Sequence, residues 1–186
     1  TSSSIVDGLE ISTKVTSGNE NIKDGDVIYS NEIIKYEVLI TNTTENTMNN
    51  MKILGYIPEG MIYVEYNKKA FSYWSETYTG LETDEADEDG VYWQDDTYQY
   101  TVDEKIKTKE ILIDEIKPGE KKIYYYEAKV IVTSETDIET NIDVMLENNK
   151  IFSYQIHNIA EVGNLEFRIR QYESRTEKNE FSYNLI

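Results

Sequence analysis

The chain has 186 residues, a formal net charge of −18, 39% apolar and 12% aromatic residues, and no cysteine. That apolar content excludes global disorder. The missing cysteine excludes a disulfide framework and thiolate chemistry. The acidic excess repels nucleic-acid phosphate and anionic membrane surfaces, and no apolar run is long enough for a membrane-spanning helix.

Residues 1–8 open with Thr1-Ser2-Ser3-Ser4 and read as linker, so the chain is expected to be a piece of something longer. Leu9, Ile11, Thr13 and Val15 then alternate with Glu10, Ser12 and Lys14, the period of a strand with one face on a core. Ser17-Gly18-Asn19 and Asp24-Gly25-Asp26 are turn clusters. In 33–42, Tyr36, Val38 and Ile40 alternate with Lys35, Glu37 and Leu39; the polar stretch 42–50 leads into a second strand over 51–57. That strand stops at Pro58-Glu59-Gly60, where proline lacks a ladder N–H and glycine permits a sharp turn. A strand over 61–66 follows.

Residues 68–103 interrupt the pattern as an insertion with ten acidic residues against two lysines and both tryptophans of the chain. Strands resume over 110–116. The turn Pro118-Gly119-Glu120 introduces a long strand with Tyr124, Tyr126, Ala128, Val130 and Val132 on one face. Ile138, Thr140, Ile142, Val144 and Leu146 alternate with Glu139, Asn141, Asp143 and Met145. After a turn at Asn148-Asn149, Phe152, Tyr154 and Ile156 line a last strand that ends near Val162. No capped helix is evident. The pattern predicts an all-β sandwich of antiparallel strands, with Tyr36, Val38, Ile40, Ile53, Tyr126, Ala128, Val130, Ile142, Val144, Tyr154 and Ile156 buried between the sheets.

The strand Tyr36-x-Val38-x-Ile40-x-Asn42, the strand ending in Ile57-Pro58-Glu59-Gly60, and the Pro118-Gly119-Glu120 turn before a long strand resemble the domain-of-unknown-function-eleven repeat family. The resemblance covers about residues 9–162. It implies an immunoglobulin-like β-sandwich repeat, with the insertion at about 68–103, strung along a bacterial cell-surface protein outside the cell. It implies a location and an architecture, not a reaction.

Residues 164–186 repeat the start of the module. Leu165-Glu166-Phe167-Arg168-Ile169-Arg170 echoes Leu9-Glu10-Ile11-Ser12-Thr13-Lys14, and Asn179-Glu180-Phe181 with Tyr183-Asn184-Leu185 echoes Asn31-Glu32-Ile33 with Tyr36-Glu37-Val38. The expected organisation is therefore linker 1–8, module 9–163 and the first strands of a following, truncated repeat over 164–186.

Candidate chemistry concentrates in the insertion, where loops on a rigid scaffold carry binding. Glu85, Asp87, Asp89 and Asp96, with Gly90, have the spacing of oxygen ligands in a calcium-binding EF-hand loop. The first ligand is Glu rather than Asp, the last Asp rather than Glu, and no helices flank the stretch; the simpler alternative is a solvated acidic loop. Tyr73, Trp74, Tyr78, Tyr92 and Trp93 offer flat faces that could stack on sugar rings, or could pack the insertion onto the sandwich. An internal Lys–Asn crosslink needs a buried lysine beside an asparagine. Asn158 has inward parity, but Lys14 and Lys35 read as outward-facing. The only histidine, His157, alternates away from the Phe152–Tyr154–Ile156 face, and no nucleophile-elbow motif exists. Carboxylates are too abundant to single out an acid/base pair for glycoside cleavage.

The resemblance thus implies a non-catalytic spacer or adhesive stalk module without a required cofactor. Its expected partners are neighbouring repeats and a host or cell-wall ligand, without nucleic acid or direct membrane insertion. The alternative is a carbohydrate- or calcium-binding module acting through the insertion.

Overall fold

The computed structural model describes residues 2–6, 8–66 and 100–163. Its strands are β1 (Ser2–Val6), β2 (Leu9–Ser17), β3 (Glu20–Asn21), β4 (Val27–Tyr29), β5 (Ile33–Asn42), β6 (Met48–Tyr56), β7 (Met61–Tyr66), β8 (Tyr100–Asp103), β9 (Thr108–Ile116), β10 (Lys121–Val130), β11 (Thr136–Leu146) and β12 (Asn149–Glu161). The sequence places β5 and β7 at these bounds, and β2, β6 and β9 to β12 within a few residues of them. Residues 2–6 depart from the linker expectation. They form a strand against β2, with Val6 opposite Leu9 and Ser2 opposite Thr13. Backbone pairing sustains that strand, since Ser3 and Ile5 are exposed and bring no apolar face of their own.

One sheet runs β1-β2-β5-β10-β7-β8, with β3 on the end of β2; the other runs β4-β12-β11-β6-β9. Every pairing is antiparallel except β4 with β12. In chain order the framework β2-β5-β10-β7 facing β6-β11-β12 reproduces the two sheets of an immunoglobulin-type sandwich. β8 and β9 are additions. β8 widens the first sheet beyond β7, and β9 widens the second beyond β6. Because the turn at Pro58-Glu59-Gly60 joins β6 directly to β7, both additions lie on one side of the sandwich.

The expected core residues are buried between the sheets except Tyr154, which is half-buried. Leu9, Ile11, Ile28, Ile34, Ile116 and Ile138 complete the interior. At its centre the rings of Tyr36 and Tyr126 stack 5.0 Å apart. The Tyr36 hydroxyl bridges the sheets, sharing a 3.2 Å hydrogen bond with Thr140 Oγ1 and donating to Met61 Sδ at 3.5 Å. Gly55 of β6 lies against the Tyr126 ring so closely that a Cβ there would fall 2.3 Å from its Cε1. Any side chain at 55 must displace the ring and break the stack.

Burial raises the phenol pKa of Tyr36 well above its ordinary value, although the Thr140 bond works against the shift. Burial, then the neighbouring Tyr36, raises Tyr126 likewise. The unfolded chain releases these protons near pH 10 while the fold retains them. Stability is therefore full below about pH 10 and falls as pH rises beyond it, by about 1.4 kcal/mol per pH unit for each group. The Tyr126 hydroxyl finds no hydrogen-bond partner among the described residues, so Tyr126→Phe should melt at or above the wild-type temperature at pH 7. Between pH 10 and 11.5 it should lose stability more gently than wild type. An unchanged alkaline slope in thermal melts contradicts this.

Candidate functional site

Buried polar side chains are where chemistry would sit; among the described residues Thr13 and Thr140 lie mid-strand, while Asn42, Glu32 and Asn158 serve strand ends. Asn42, fully buried at the end of β5, donates from Nδ2 to Asn46 O at 2.7 Å and to Ile116 O at 2.9 Å. Its Oδ1 accepts from Thr44 N at 2.9 Å and Thr44 Oγ1 at 2.6 Å. Its backbone N donates to Glu120 O at 3.0 Å, and its carbonyl accepts from Gly119 N at 2.7 Å. The asparagine closing the Tyr-x-Val-x-Ile-x-Asn strand thus grips the Pro118-Gly119-Glu120 turn. Gly119 has φ 76°, which suits glycine, and the turn closes through Glu120 N to Lys117 O and Lys117 N to Glu120 Oε1, both 2.9 Å.

Two further groups act the same way at the other end of the sandwich. Glu32 is 4% exposed. Its carboxylate accepts from Ser17 Oγ at 2.5 Å and from Tyr29 N at 3.0 Å, tying the ends of β2 and β4 to the start of β5. Asn158 faces inward, as its parity predicts, and donates from Nδ2 to Lys23 O at 2.9 Å and Asp26 O at 3.1 Å. The sequence reading did not single out Glu32. Its signal is the turn cluster Ser30-Asn31-Glu32, where Asn31 has φ 76°.

Among the described residues, His157, Lys14 and Lys35 are not brought into a catalytic or cross-linking arrangement. His157 is exposed as expected, and its Nε2 faces Asp137 Oδ1 at 3.7 Å. None of the hydrogen bonds among the described residues joins its ring to a Ser or Thr hydroxyl. Lys35 lies on the outer face, 3.4 Å from Glu37 Oε1 and 4.4 Å above the Tyr125 ring. Lys14 is exposed. Neither faces the inward-pointing Asn158. No group of three or more His, Asp or Glu side chains poised to hold a metal ion occurs among the described residues.

Glu85, Asp87, Asp89 and Asp96, and the aromatic set Tyr73, Trp74, Tyr78, Tyr92 and Trp93, lie outside the described residues, as does the echo over 164–186. The described structure defines how the insertion is rooted. It departs from Tyr66 and returns at Tyr100, residues that pair directly across the β7–β8 ladder. Their rings meet at 5.2 Å with a 58° tilt, and Tyr100 Oη donates to Glu127 Oε2 of β10 at 3.1 Å. The two feet of the insertion are therefore fixed side by side on a paired hairpin.

No family model matches the sequence, and no curated protein matches it. Among solved structures, the chain is similar to the CARDB domain of a Pyrococcus furiosus protein in solution, at 12% identity over 83% of this chain and 97% of that one, with a TM-score of 0.40. It is also similar to a crystal structure of that domain in complex with di-metal ions, at 11% identity over 86% and 100%, TM-score 0.38. A β-glucosidase from Listeria innocua matches at 9% identity over 84% of this chain and 17% of that one, TM-score 0.33. Likenesses this distant say nothing about chemistry, and the sandwich rests on its own sheet order.

If the acidic stretch binds calcium, millimolar calcium should raise the melting temperature with concentration. Magnesium should do less, because it demands stricter octahedral geometry. The Asp87→Asn/Asp89→Asn double variant should lose the shift. No calcium shift in the wild type, or an equal shift in the double variant, removes the site.

Proposed function

We propose that this chain is a non-catalytic structural module, a spacer or adhesive stalk unit of a bacterial cell-surface protein, as its resemblance to the domain-of-unknown-function-eleven repeats implies. One observation carries the reading. The buried polar groups Asn42, Glu32 and Asn158 commit their hydrogen bonds to backbone groups and to the hydroxyls of Ser17 and Thr44 that close strand ends. Side chains committed in this way stiffen a scaffold and are not free to move protons or bind substrate. A spacer of this kind acts by holding its length, with neighbouring repeats as its immediate partners.

A second reading places carbohydrate or calcium binding on the insertion. It is favoured by the pairing of Tyr66 with Tyr100, which presents the acidic and aromatic stretch from a fixed base.

A glycan and substrate panel on the full chain, and on a variant with 67–99 replaced by Asn-Gly, separates the readings. Both proteins should fold with similar melting temperatures and neither should turn over peptide, ester or glycoside substrates. Glycan retention by the full chain that disappears in the variant moves the function to the insertion. Turnover that survives purification and tracks the protein overturns both readings.

A further inference from the structure

The two ends of the described chain are held in opposite ways. β1 runs from Ser2, opposite Thr13, to Val6, opposite Leu9, and Leu9 pairs in turn with Asn42 at the far end of β5. β12 runs the other way and ends at Glu161 beside Tyr29. Ser30 N donates to Glu161 O at 2.7 Å, and Asn31 N to Val130 O at 2.6 Å, so the chain leaves where β10 finishes, at the end opposite Asn42. Tension between the chain ends pulls Glu161 outward along the axis of β12. It pulls Ser2 toward the Asn42 end, the direction in which β1 itself runs.

Strand ladders are bonded across the strand axis, so the direction of pull decides how many bonds share it. β12 is loaded in shear. Its ladder to β11 spans Thr136↔Ala160 to Leu146↔Asn149. On its other side it is stitched to the 23–30 segment by the parallel pairing with β4 and by Gly25 N to His157 O, His157 N to Asp24 Oδ1, Ile159 N to Asp26 O and the Asn158 amide. All of these resist together. β1 is loaded in the other sense. Its N-terminus is folded back on itself, and the pairs open one at a time from Ser2↔Thr13.

Beyond that ladder β1 is held by half-buried Ser4 and Val6, by a contact with β12 and by the Gly8 carbonyl, which accepts from Thr43 N at 2.9 Å and from its Oγ1. It is an edge strand of its sheet, and Ile5 is 72% exposed. β2 keeps its ladder to β5 from Leu9↔Asn42 to Thr16↔Lys35 without it, and Leu9, Ile11 and Val15 stay in the core.

We propose that β1 is a tension-released strap: under load the module gives up residues 2–8 at low force while β2 to β12 stay folded. The strap rests on the reading of the chain as a spacer under tension. Its release frees about 25 Å of chain, seven residues at about 3.5 Å each; because Ser2 starts folded back beside Thr13, about 13 Å from the level of Leu9 at the strand rise, the chain ends move apart by up to about 40 Å before the sandwich is threatened.

Optical tweezers holding the full chain by tags at its two termini test this. The unlocked chain should show an early, reversible lengthening of that size, then a separate high-force rupture of the sandwich. Ile5→Cys with Glu10→Cys introduces the only cysteines in the chain at directly opposed, exposed positions. The resulting disulfide leaves only Ser2–Ser4 free to peel, so it should cut the early step to a fraction of its length and leave the rupture force unchanged; reduction should restore the full step. Absence of an early step in the unlocked chain, or a step of the same size that survives the disulfide, overturns the strap and leaves the spacer reading standing. Opening of the whole chain in one low-force event overturns both.

Discussion

The structure depends on one buried amide. Asn42 ends a strand of the first sheet, yet its side chain donates to Ile116 O, the end of β9 in the second sheet, while its backbone exchanges hydrogen bonds with the turn that leads from β9 into β10. A single residue thus fixes where β9 stops, where β10 starts and how the two sheets meet at that end. The register of β10 against β5, Lys121↔Thr41 to Lys129↔Ile33, follows from that anchor, since a one-residue slip would turn Tyr126, Ala128 and Val130 out of the core. Without that register the Tyr36–Tyr126 stack and its seat on Gly55 would not form.

The opposite end is closed by different chemistry to the same effect. Glu32 gathers Ser17 and Tyr29, and Gly60 O accepts from Ile131 N just beyond β10 at 2.8 Å. β10 is therefore gripped at both ends by the two proline–glycine turns that stand out in the sequence, and the interior between them is apolar apart from the stacked phenols, Thr13 and Thr140. Such an interior favours rigidity over reactivity. The additions to this framework lie at one side, where β8 and β9 widen the sheets and Tyr66 pairs with Tyr100.

The sequence shows the strands that own an apolar face. Tyr36-Val38-Ile40 and Ile138-Thr140-Ile142-Val144 alternate over enough residues that the period of two identifies both the strand and its buried side. Strands held chiefly by their neighbours are invisible to that test. Ser2–Val6 reads as serine-rich linker because its partner β2 does the burying. Val27–Tyr29 is too short to show a period and pairs in parallel with a strand far along the chain. The turn residues were legible, since Pro58-Glu59-Gly60 and Pro118-Gly119-Glu120 constrain the backbone wherever they occur. Their long-range partners were not, because nothing local to Asn42 says that it will meet Ile116 and Gly119. The calcium and sugar candidates rest on spacing and composition within 68–103, and the described residues supply only their base.

The claim that buried polar side chains act as strand-end anchors is tested most directly at Asn42. Equilibrium denaturation of Asn42→Ala should show a loss of at least about 2 kcal/mol, because the carbonyls of Ile116 and Asn46 and the Thr44 amide lose their partner. A change smaller than about 0.5 kcal/mol, the range of an ordinary surface substitution, would contradict it.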